Sequence, residues 1–164
     1  MLKPYQTIMV PLDGSDLAEQ ALPHAREIAQ RQGGRLILFG VAPDVARALS
    51  RSLILPEMVA IRQAHQVDEQ PVIDHFSEAL EQAAETIRRQ HVEVDVVVQI
   101  GSPAEQIIDF AVEMDIDLIV MSTHGRTGVG RWVYGSVANK VIGHAPCPVL
   151  LVRVPPEELA GSLH

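Results

Sequence analysis

The residues best suited to do chemistry lie in one stretch, Met121-Ser-Thr-His-Gly-Arg-Thr-Gly-Val-Gly-Arg-Trp-Val-Tyr-Gly-Ser136. Glycines at 125, 128, 130 and 135 permit backbone conformations closed to other residues and let a ligand approach the main chain closely. The apolar run Asp117–Met121 precedes this stretch and Val137–Ile142 follows it, so a buried strand should lead in and a short helix should lead out. A helix opening at Gly135-Ser136 offers unpaired N–H groups and the positive end of its dipole. Phosphate is the anion such an arrangement holds best. The stretch has no Gly-Lys-Ser/Thr and so is not a Walker A loop, and no Gly-x-Gly-x-x-Gly follows the first strand, which argues against a dinucleotide fold.

Other reactive side chains read more plainly. Asp13 stands where the first strand should end, a place for a ligand contact or for a turn cap. Ser15 fits the N-cap of the first helix better than a nucleophile. Seven histidines show no His-x-x-x-His spacing; His65 and His75 read as surface residues, and only His124 falls near the glycines. Cys147, between Pro146 and Pro148, reads as a structural thiol. No paired carboxylates or nucleophile-base pair accompany the glycines, so any hydrolysis would be slow.

Alternating strands and helices must position these residues. Thr7–Leu12 reads as a strand closed by the turn Asp13-Gly14-Ser15. Leu17, Ala18, Ala21, Leu22, Ala25, Ile28 and Ala29 trace one helical face, within which Pro23 should kink the helix or cost stability. Arg35–Val41 is a second strand. Residues 43 to about 70, with Pro43, Pro56 and the apolar patch Leu53–Leu55, read as a long connection over one end of the sheet. A helix from about Val72 to Gln90 and a strand over Val92–Val98 follow. Ser102-Pro-Ala-Glu105 marks a helix start with an N-cap serine and proline at the first position, and Ile107, Ile108, Ala111 and Met114 supply its inner face. After the glycines come the helix from Ser136, a strand over Pro148–Val154 and a frayed tail over 155–164, so one domain should span 1–154.

This order predicts a single-domain α/β fold, a doubly wound five-stranded parallel sheet with helices on both faces. In spatial order 3-2-1-4-5 the winding reverses between strands one and four, and ligands bind such sheets beyond the carboxyl ends of the strands at that point. Asp13 and the residues after Met121 would then face each other.

The chain's 164 residues fit one domain, and its formal charge of −8 argues against nucleic-acid and anionic-membrane binding. A single cysteine fits a reducing compartment, and no apolar stretch reaches membrane-spanning length, so a cytoplasmic location is expected.

Three segments resemble the universal stress protein family: Ile8-Met-Val-Pro-Leu-Asp-Gly-Ser15, the run His124-Gly-Arg-Thr-Gly128 with Gly135-Ser136, and His144-Ala-Pro-Cys-Pro-Val-Leu150. The family's ATP-binding members carry Gly, two residues, Gly, nine residues, then Gly-Ser or Gly-Thr; here Ser122 replaces the first glycine, and a left-handed backbone there would lower affinity. The resemblance implies ATP or another adenine nucleotide, with Mg2+. Pro11, Asp13 and the backbone of Val41 would lie near adenine and ribose. Met121, Ser122, His124 and Gly125 would line the ribose. Arg126, Gly128, Gly135, Ser136 and Val137 would hold the phosphates. It also implies a homodimer, and the apolar edge strand over 148–154 offers the interface. The expected function is that of a nucleotide-responsive stress protein. A nucleotide-independent interaction or chaperone-like role, or slow ATP hydrolysis, remains open beside it.

Overall fold

The computed structural model describes residues 3–42, 44, 70–124 and 135–154. Among them, strands β1 (Thr7–Leu12), β2 (Arg35–Ala42), β3 (Val94–Ile100), β4 (Leu118–His124) and β5 (Val149–Val154) form one sheet. Helices α1 (Asp16–Glu19), α2 (Leu22–Gln32), α3 (Gln70–Arg88), α4 (Pro103–Glu113) and α5 (Ser136–His144) connect them. The sheet order is β3-β2-β1-β4-β5 and every pairing is parallel, as expected from the sequence. Most of the connection expected over 43–70 lies outside the described residues, as does the tail 155–164.

The strands are apolar on both faces because both faces are covered. Ile8, Val10, Leu36, Leu38, Leu118 and Val120 pack against Ala21, Ala25 and Ala29 of α2 and Leu80, Ala84 and Ile87 of α3. Their neighbours Met9, Ile37, Phe39, Ile119 and Met121 point the other way, onto Ala104, Ile107, Phe110 and Ala111 of α4 and Ala138 and Val141 of α5. The period of two along each strand thus divides the core into two layers. Phe110, absent from the expected inner face of α4, stacks on Phe39 with ring centroids 4.6 Å apart. Met114 is instead exposed, because it caps the helix beyond its last buried turn.

Three local expectations are corrected. Pro23 does not kink a helix: α1 stops at Glu19, the chain restarts at Leu22, and Pro23 occupies the first turn of α2, where its missing N–H has no partner to lose. The third strand is Val94–Ile100 rather than Val92–Val98, since the parallel pairing of Leu36 with Val94 sets its start. Ser102 has the extended backbone of an N-cap at α4, yet its side chain makes no cap bond, so the first turn of that helix keeps open N–H donors.

Candidate functional site

The two central strands part where the winding reverses. β1 shares six register pairs with β2 but only two with β4, Ile8 with Leu118 and Met9 with Ile119. Beyond Met9 and Ile119 the strands leave the ladder, with α1 above one face of the gap and α4 above the other. A cleft of about 120 Å³ occupies this gap. It is lined by five of the residues expected from the sequence, Pro11, Asp13, Val41, Met121 and Ser122. Leu17 and Ala18 of α1 and Pro103 and Ile107 of α4 also line it. Those four were missed as site residues, because their helical periodicity marks only an inner face; the usable signal is their position in the first turns of helices that follow strand ends. A volume below the roughly 300 Å³ at the small end of ligand pockets admits a flat ring and leaves anything larger to extend outward.

Asp13 ends β1 and is held by the turn it begins. Its Oδ1 accepts from the Ser15 N–H at 3.0 Å and from the Ser15 hydroxyl at 2.6 Å. Gly14, at φ +80°, supplies the left-handed step this turn requires. The Ser15 hydroxyl in turn accepts from the Ala18 N–H at 3.1 Å, capping α1 as expected. With both of its hydrogen-bonding roles occupied, Ser15 is not poised as a nucleophile.

At α5 the opposite holds. Gly135 is the N-cap and has no side chain to cap the helix, so the first N–H groups of this nine-residue helix take no bond from that position. Its backbone, φ −56° and ψ 155°, suits any residue, and among the described residues nothing lies within 4 Å of where a Cβ would stand. Neither its conformation nor its packing among the described residues therefore explains a glycine here. Because α5 leads into β5, and β5 starts beside Ile119, the N-terminus of α5 lies at the same end of the sheet as the cleft. Ser136 is exposed and Val137 packs against the α4 side of the core.

Ser122 is an ordinary strand residue in register with Val152, not at a positive φ, so the left-handed demand considered for the replaced glycine does not arise. Its hydroxyl is buried and has no hydrogen-bond partner among the described residues. His124 ends β4. Gly125, Arg126 and Gly128 lie outside the described residues, so the structure brings together only part of the expected set.

A larger groove of about 720 Å³ lies at the other end of the sheet, and its carboxylate, Asp117, is already partnered. Lys3 Nζ is 2.7 Å from Asp117 Oδ1, and Asp117 Oδ2 accepts from the Gln6 and Thr7 N–H groups at 3.0 Å each. Burial pushes the Asp117 carboxyl up, yet the Lys3 ammonium and the two N–H bonds outweigh it and hold the group below the ordinary carboxylate range. Cys147, also in this groove, is pushed up by burial and by the Asp117 charge, which disfavours the reactive thiolate as the sequence led one to expect. Size alone would favour this groove; the unmet polar groups favour the smaller cleft.

Fold and cleft together define a doubly wound α/β domain with an open crevice at its switch point. Residues 4–153 match the model of the universal stress protein family. A universal stress protein of Methanocaldococcus jannaschii is 33% identical over 158 residues, covering 94% of this chain and 85% of that protein. One from Thermus aquaticus is 32% identical, covering 91% and 99%. The chain belongs to the universal stress protein family. The structure of UspA from Lactobacillus plantarum superposes with a TM-score of 0.70 at 27% identity, covering 93% of this chain and all of that one. Two more distant members share the fold: one in complex with cAMP, at TM-score 0.60, 21% identity and coverage of 92% and 98%, and one from Arabidopsis thaliana with AMP bound, at 0.58, 17%, 93% and 94%. No described helix is long and apolar enough to cross a membrane.

Proposed function

We propose that this chain binds an adenine nucleotide, ATP in the first instance, with the base in the cleft between β1 and β4 and the phosphates at the N-terminus of α5. The observation that carries the reading is Gly135: a residue with unstrained φ at a helix start without a side-chain cap, where an added side chain would meet none of the described residues. The cleft supports the same orientation, since Pro11, Leu12, Val41 and Met121 give it apolar walls suited to a planar ring. Two relatives with this fold hold cAMP and AMP, which favours an adenylate over other anions. Among the described residues Asp13 is the one carboxylate on the cleft wall, and Ser15 engages one of its oxygens. Mg2+ would therefore arrive on the phosphates rather than in a protein cage.

In this reading the protein is a cytoplasmic, nucleotide-responsive homodimer that acts in stress response and is not primarily an enzyme, within a domain spanning 1–154. β5 supports the dimer, because it has a neighbour on one side only and Leu150 is 37% exposed. Calorimetric titration with MgATP, AMP and cAMP, together with emission from Trp132 and mass spectrometry of nucleotide extracted from purified protein, tests it. Heat of binding and a co-purified adenylate are expected. Neither heat nor spectral change at millimolar nucleotide would refute it and favour the nucleotide-independent role.

A further inference from the structure

We infer that the Ser122 hydroxyl is a specificity-determining contact, which turns into the cleft when a nucleoside enters and hydrogen-bonds its polar edge, a ribose hydroxyl or the base amine. The inference rests on the nucleotide reading above and gives the side chain of Ser122 a role that glycine at the same motif position could not fill.

Ser122 lies on β4 past Ile119, the last residue that pairs with β1, so it belongs to the part of the strand that borders the gap. Alternation along β4 sets it on the same face as Leu118 and Val120, the face covered by α1 and α2. Of the other side chains lining the cleft, only Asp13 and Ser15 carry hydrogen-bonding atoms, and these bond to each other and to the turn. Two buried side-chain polar atoms lack a partner among the described residues, Arg26 Nε and Ser122 Oγ. Arg26 still donates through another guanidinium nitrogen to Gln90, whereas the oxygen of Ser122 is its only polar side-chain atom.

A buried hydroxyl without a partner is unfavourable, and glycine or alanine would occupy this extended strand position without that cost. Serine has three staggered side-chain orientations, so a rotation about one bond can carry the hydroxyl from the strand's flank toward the cleft. In the free protein that move gains little. With a nucleoside in the cleft it exchanges an unbonded oxygen for a hydrogen bond, which ties the bond to ligand occupancy. Replacing the motif glycine by serine then sharpens recognition instead of impairing it.

The test compares the full chain with Ser122→Ala by calorimetry against AMP, 2′-deoxy-AMP, 3′-deoxy-AMP and the monophosphate of purine riboside, which lacks the base amine. Thermal unfolding of each protein is followed alongside. Loss of one net hydrogen bond predicts that S122A binds AMP about threefold to tenfold more weakly. The deficit should vanish for the analogue that lacks the contacted group: a deoxy sugar if the contact is to ribose, the amine-free base if it is to the base. Unliganded S122A should be at least as stable as the parent, since it loses an unpaired polar atom. Equal AMP affinity in the two proteins, or a drop in the melting temperature of unliganded S122A, would overturn the inference. A parent chain that binds neither AMP nor MgATP at millimolar concentration would overturn it together with the nucleotide reading, so the two failures are distinguishable.

Discussion

Gly135→Val separates ligand binding from folding at one position. The backbone at Gly135, φ −56° and ψ 155°, lies in the extended region that valine favours, and the space around an added Cβ is open among the described residues. The cost to the free protein is then confined to poorer capping of α5, about 1 kcal/mol or less. For a domain of this size that corresponds to a fall in melting temperature of roughly 2–4 °C. The liganded protein should fare differently. A phosphate at the start of α5 accepts charge-assisted bonds from backbone N–H groups worth about 1.5–3 kcal/mol each. Losing two of them, with branched methyls occupying the anion's position, weakens binding by more than about a hundredfold. Calorimetry with MgATP measures the second effect and circular dichroism on heating measures the first. A folded G135V protein with unchanged affinity would refute the placement of phosphate at α5. A collapse in stability would instead mean that the glycine serves the fold.

Three further outcomes follow from packing and charge. Asp117→Ala leaves the Gln6 and Thr7 N–H groups without their shared acceptor and should destabilise the protein by about 2 kcal/mol in urea unfolding; a change under 0.5 kcal/mol would show that the anchor is idle. Because the Asp117 carboxyl titrates lower in the folded chain than in the unfolded one, its stabilisation is complete above the ordinary aspartate value near 4 and declines as pH falls through the folded value, and the A117 variant should lack this acid-side decline. Gly34→Ala would place a Cβ 2.5 Å from the Tyr5 carbonyl oxygen, so the backbone entering β1 must shift and stability should fall by about 1–3 kcal/mol in the same assay; a neutral result would mean that this close approach relaxes freely. Leu150→Asp should yield monomers in sedimentation if β5 joins two copies. Leu150 suits this test better than Leu151, which packs on the protein's own core, and a persisting dimer would place the interface elsewhere.

The fold was legible because its signals are local and repeated. Each strand is an apolar run bounded by turn residues, each helix between them carries an inner face, and alternation of the two leaves few topologies for a parallel sheet. What the chain concealed depends on contacts remote in sequence. The apolar positions from Leu17 to Ala29 keep helical spacing straight through the break at Gln20–Ala21, so one periodicity describes two helices. Val92 continues the alternation of β3 and is buried, yet the ladder with β2 begins only at Val94. The cleft was half legible. Asp13, Val41 and Met121 are found from where strands end, whereas Pro103 and Ile107 join them only because α4 crosses the gap from the far side.

The same geometry explains why the cleft forms between these two strands and no others. Every other neighbouring pair keeps its ladder over at least six register positions, so its backbone groups are satisfied within the sheet. β1 and β4 share two because their following helices depart to opposite faces, α1 over one and α5 over the other. No single helix can then cover the ends of both strands. The backbone and side-chain groups bordering that gap must look for partners outside the sheet, and Ser122 is the clearest case, with a buried oxygen that the described residues leave unmet. A doubly wound sheet therefore creates its unsatisfied polar groups where its topology reverses. Two of this chain's local choices, a glycine opening α5 and serine in the strand facing the cleft, add hydrogen-bonding capacity at that place, which the described residues do not use up.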